Sequence, residues 1–168
     1  MNIFCKNLII FLIFSLAYPN NFHGVALQMT SDGTGFYYKP GFELKQYSKL
    51  VGAFGIHLDN NYQAVSLFNI KNNNRSIYID LSAEIQQEIL KEFIVGAFNP
   101  IIFIQGGSMA NINSISGIDN LGNWKLLYAI GAGFQFYNGR ILNELTLKYN
   151  QNPFIEGNVV FQLAVYWK

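Results

Sequence analysis

The sequence predicts an all-β fold: an eight-stranded antiparallel up-and-down transmembrane β-barrel. Three observations predict it. Segment after segment alternates apolar with polar or small residues, the period of a strand with one greasy face. Charged residues make up only 12% of the 168 residues and aromatics 16%, where a soluble domain carries roughly 25% charged residues. Something apolar must therefore cover much of the surface. Finally, the chain opens on an apolar run of the kind that directs export.

In that opening run Lys6 supplies a positive flank and Leu8 to Ala17 the apolar stretch, with small-residue cleavage sites at Ser15-Leu16-Ala17 or Gly24-Val25-Ala26. The second site divides the chain into a signal peptide, 1–26, and a barrel domain, 27–168. The run is too short for a spanning helix, which needs roughly 20 residues. Cys5 precedes it, which argues against a lipid-attached N-terminus. Because Cys5 is the only cysteine, the exported part has no disulfide and no thiolate metal ligand. No metal or cofactor is expected. All ten acidic residues and every basic one except Lys6 follow Ala26, so the exported part is neutral and has no bulk charge to recruit nucleic acid.

The strands follow in order. From Thr34 to Lys45, Thr34, Phe36, Tyr38, Pro40, Phe42 and Leu44 share one face, and Lys39, Gly41 and Glu43 lie on the other. After Gln46-Tyr47-Ser48, Leu50 to Asp59 repeats the pattern with His57 inward, and Asn60-Asn61 reads as a tight turn. Tyr62 to Ile70 is a third, less regular strand. The fourth, from Arg75 to Gln86, puts Ile77, Ile79, Leu81, Ala83 and Ile85 against Tyr78, Asp80, Ser82, Glu84 and Gln86. Helical spacing of Ile85, Ile89, Leu90, Phe93 and Ile94 leaves a short helix around Gln86 to Lys91 as a rival to a turn. Phe93 to Gln105, interrupted by Pro100, reads as a bulged strand, and Gly106 to Asn123 as the one long loop. Trp124 to Tyr137 alternates cleanly, Asn138-Gly139 is a strong type I′ hairpin signal, and Ile141 to Tyr149 is the seventh strand. The eighth runs from Ile155 to Trp167, with Val159, Phe161, Leu163, Val165 and Trp167 as its greasy stripe.

That closing strand, amphipathic and ending near an aromatic residue, resembles the terminal strand of small bacterial outer-membrane β-barrel proteins; Lys168 is a departure. The resemblance implies residence in the outer membrane of a Gram-negative bacterium, among lipopolysaccharide and phospholipid, as a monomer. It also implies recognition by the outer-membrane assembly machinery through Val159, Phe161, Leu163, Val165 and Trp167. In that setting Trp124, Phe136, Tyr149 and Trp167 fall where interfacial aromatics belong. The first strand is the expected neighbour of the last, carrying the stripe round to Phe36 and Tyr38. Short turns at Asn60-Asn61 and Asn138-Gly139 suit the periplasmic rim.

An eight-stranded barrel is filled by its own side chains. The inward sets hold Lys39, Glu43, Lys45, His57, Asp59, Asp80, Glu84, Glu144, Lys148 and Glu156, which must pair or be hydrated. A plug of ion pairs and hydrogen bonds is the expectation, with a polar conduit or a narrow pore for small solutes as the alternative. A lipid A-modifying enzyme is a further one. The deacylases of that class resemble this architecture but carry His-x-Ser, whereas this chain has His57-Leu58-Asp59. No nucleophile elbow, phosphate loop or zinc motif is present, and no catalytic residue is assigned. The expected role is structural or surface-interactive, without enzymatic activity. A soluble lipocalin-like barrel would need a polar exterior, which so few charges cannot supply.

Overall fold

The computed structural model describes residues 21–31, 33–45, 47–59, 77–89, 98–111, 124–151 and 159–168. Every regular element among them is a strand: β1 (Asn21–Met29), β2 (Gly33–Tyr38), β3 (Gly41–Lys45), β4 (Ser48–Asp59), β5 (Ile77–Glu88), β6 (Phe98–Asn111), β7 (Lys125–Asn138), β8 (Ile141–Gln151) and β9 (Val159–Trp167). Each pairs antiparallel with its neighbours, and β1 pairs with β9 from His23↔Trp167 to Met29↔Phe161. The sheet is therefore closed. β2 and β3 are halves of one wall strand, since both lie between β1 and β4. Across the break at Lys39-Pro40 the backbone stays bonded, Lys39 N–H to Gly24 C=O at 2.8 Å and Gly52 N–H to Pro40 C=O at 2.7 Å. The wall thus has eight strands, and its closure leaves no strand edge unpaired.

The first strand is not where the alternation starts most clearly. The closing partner of β9 is β1, not the Phe36 strand, and the expected boundary after Ala26 falls inside β1. The contrast of β1 is weak because Gly24 and Ala26 face inward beside Phe22 and Gln28. The expected strand Tyr62–Ile70 and the turn Asn60-Asn61 lie outside the described residues. β4 pairs directly with β5 from Ser48↔Gln87 to Leu58↔Ile77, so the wall is complete between them. Consequently the connection 60–76 shares a rim with 112–124 and 152–158, and the opposite rim carries the end of β9 and the hairpin between β7 and β8. The connection that contains Asn60-Asn61 and the Asn138-Gly139 hairpin, expected on one rim, therefore lie on opposite rims.

Other boundaries shift for identifiable reasons. β5 continues through Gln86 and Gln87 to Glu88, paired to β4 and β6, so those residues are strand and not helix. β6 runs to Asn111 without a register shift, so the long connection begins at 112, not Gly106. Pro100 is accommodated because its edge faces β5 just beyond that ladder, where its carbonyl accepts from Ile89 N–H at 2.9 Å and no N–H is called for. In the last hairpin Asn138 pairs with Ile141, leaving Gly139 and Arg140 as the loop. Gly139 at φ 63 stands in its first position, the requirement of a type II′ turn instead of I′.

The faces sort by chemistry. Outside are Phe36, Ile56, Ile104, Ile130, Phe134, Leu147 and Leu163, with Ile130 63% exposed. Inside are Lys39, Glu84, Gln135 and Gln162, all with no exposure. Close walls demand glycine at some inward positions: a Cβ on Gly55 would run into the Phe36 carbonyl and the Tyr37 ring, and one on Gly131 into the Phe103 ring. The outside is apolar, and the inside holds the buried polar groups beside apolar ones such as Val51, Ile101, Phe103 and Leu127.

Candidate functional site

Buried side chains of one sign have to find the other, and the pleat brings them together. On β5, Asp80, Ser82, Glu84, Gln86 and Glu88 all face inward because they are spaced by two. Lys39, at the break between β2 and β3, reaches across to Glu84 at 2.8 Å and stands 3.6 Å from Glu144 on β8. Its ammonium also sits 5.7 Å from the centre of the Tyr166 ring. Glu144 accepts from Gln135 at 2.6 Å, Tyr166 at 3.1 Å and Gln162 at 3.3 Å. Gln86 donates to Glu84 at 3.0 Å and accepts from Gln135 at 3.1 Å.

Toward the rim bearing the chain end, Lys49 is held by Glu88 at 2.9 Å and by Gln135 at 2.6 Å. Toward the other rim, Lys148 donates to Gln105 at 2.8 Å, Gln105 to Ser82 at 2.7 Å, and Asp80 accepts from Ser82 and Tyr37. At the seam Gln28 donates to Gln162 at 2.8 Å. The charges and amides of β1 to β9 thus fill the interior in cross-braced layers. Such bracing matters because a buried charge without a partner costs several kcal/mol.

Lys39, His57, Asp80, Glu84, Glu144 and Lys148 all lie buried in the interior. His57 sits near the Tyr78 ring at 6.5 Å, apart from the Lys39 cluster. Glu43 is not in the filling: it lies at the rim, paired to Lys168 at 2.8 Å with both side chains partly exposed. Lys45, Asp59 and Glu156 fall outside the described side chains. Gln86, Gln135 and Gln162 had the inward parity of their strands but were not counted in the filling, and Lys49, Glu88, Gln28 and Gln105 were not expected there. The parity of those three glutamines was legible, uncharged amides attracting less notice than charges, whereas Gln28 lies on β1, which the alternation did not disclose. Phe136, whose ring meets Phe98 at 5.6 Å, and Trp167 lie near one rim. Trp124 and Tyr149 lie near the other. Among the described residues no three His, Cys, Asp or Glu side chains are placed to share a metal ion.

No protein-family model and no curated protein matches the chain. Solved structures do. The Yersinia pestis outer membrane protein Ail, determined in a phospholipid bilayer nanodisc, is similar over 88% of this chain and 97% of its own, with 15% identity and a TM-score of 0.57. A designed transmembrane β-barrel matches over 88% of this chain and 93% of its own, with 10% identity and a TM-score of 0.51. A second designed protein, solved by solution NMR, matches over 89% and 93%, with 14% identity and a TM-score of 0.50. Identities this low establish the fold, that of transmembrane β-barrels.

Proposed function

We propose that this chain is an integral outer-membrane β-barrel of a Gram-negative bacterium with a plugged interior, serving a structural or surface-interaction role without catalysis. The observation that carries it is the inverted polarity: an exterior of exposed Ile, Leu and Phe around an interior in which Lys39, Lys49 and Lys148 are each bound by buried partners. Water favours the reverse arrangement and hydrocarbon favours this one. His57 faces inward, away from any acyl chain against the wall, which supports the non-enzymatic reading. Export by the N-terminal segment fits cleavage after Ala17, which leaves β1 whole. Assembly then proceeds as a monomer through the stripe Val159, Phe161, Leu163, Val165 and Trp167.

Single-channel recording on the purified barrel tests the plug. Wild type and Asp80→Ala should both give no steady conductance, because the Lys39 cluster survives the substitution; a steady wild-type pore would overturn the plug. A water-soluble monomer in the absence of detergent would overturn the membrane reading itself.

A further inference from the structure

A cavity of about 230 Å³ opens at the mouth of the barrel, on the rim that carries the end of β9. Phe22, Leu142, Tyr166 and Trp167 line it, Glu43, Lys49 and Lys168 add charged groups to the lining, and the β7–β8 hairpin contributes Arg140. Phe22 and Tyr166 meet edge to face, with ring centres 5.4 Å apart, so the floor is firm and apolar. The charges divide unequally. Lys49, at the base, is engaged by Glu88 and Gln135, and Lys168 is paired with Glu43. Arg140 has no ion-pair partner among the described residues and is exposed at the lip. An apolar cup is thus left with one uncommitted cation beside its opening.

We infer that this mouth is a binding site for a small anionic amphiphile, its apolar body seated against Phe22, Leu142 and Tyr166 and its carboxylate on the Arg140 guanidinium. The volume corresponds to about eight waters at roughly 30 Å³ each, which fits a short or medium acyl chain and excludes a whole phospholipid. Guanidinium suits the head because its fork of N–H donors matches a carboxylate in two parallel bonds. A neutral amphiphile gains the burial and not the head contact; a cationic one meets like charge. The site is independent of whether the interior conducts.

The cavity contains its own reporter. Trp167 is one of only two tryptophans, so in a Trp124→Phe background it is the sole emitter. The barrel in nanodiscs of zwitterionic phospholipid is titrated with octanoate, octanol and octylammonium, with empty nanodiscs correcting for partition into lipid. Octanoate should shift Trp167 emission saturably, octanol about ten-fold more weakly and octylammonium not at all, the ten-fold step being ordinary for one charged contact. Arg140→Gln should bring octanoate down to the octanol affinity and leave octanol unchanged. Leu142→Phe, which fills the cup, should weaken both, and heat-modifiable gel migration confirms that each variant is folded. Non-saturable binding, equal binding of the three head groups, or octanoate affinity unmoved by Arg140→Gln in a folded barrel would overturn the assignment.

Discussion

Glu144 takes hydrogen bonds from Gln135, Tyr166 and Gln162 and stands beside Lys39. Its loss would take a partner from four buried groups at once. Glu144→Ala should therefore cost roughly 3–5 kcal/mol, the range for removing one partner of a buried pair, read from urea unfolding of the barrel in bilayers. Lys168→Ala breaks a pair whose side chains are 58% and 36% exposed, so it should cost less than about 1 kcal/mol. If the two variants unfold alike, the filling does not brace the wall. Gly131→Val tests the close wall from the other side, since the added carbons meet the Phe103 ring and the Leu147 carbonyl. It should lower stability by about 1–3 kcal/mol or more.

At the level of the strand, position along the wall decides what a charge costs. Leu163 pairs with Leu27 and Leu145 midway along the seam, and Val159 lies near the end of the ladder. Leu163→Arg should cost about 2–4 kcal/mol and Val159→Arg about 0–1, following the depth dependence of cations on a lipid-facing wall; equal costs would contradict a hydrocarbon surround. A chain begun at residue 27 loses Asn21–Ala26, two thirds of β1, and with it most of the seam. It should give no heat-modifiable band, whereas one begun at residue 18 should fold. The same seam explains what the sequence disclosed and what it hid. β5 was legible because its inward polar and outward apolar sets contrast sharply, and β7 because large apolar residues outside alternate with mostly smaller ones inside. β1 was not, because a small residue facing inward looks no different from the tail of an export signal. The glutamine pair Gln28–Gln162 could not be read in advance, since it depends on which strand closes the wall.

For the molecule as a whole, the two longest connections, 60–76 and 112–124, lie on one rim, and the start of β1 and end of β9 on the other. Trypsin added to intact cells should cut at Lys71 or Arg75, within 60–76, and reach Arg140 only after the outer membrane is breached; early cleavage at Arg140 would reverse the orientation. Closure has a consequence for how such a molecule comes into being. His23 and Trp167 are neighbours in the wall though they lie at opposite ends of the chain, so the final ladder joins the residues most remote in sequence. Until it forms, two raw edges face each other across a gap, and the entropy of bringing them together falls on one late step. A circular permutant, with Lys168 joined by a short linker to Tyr18 and new termini opened within 60–76, keeps every pairing of the wall. It turns that remote seam into a local hairpin, and should therefore insert and close faster than the natural order of strands.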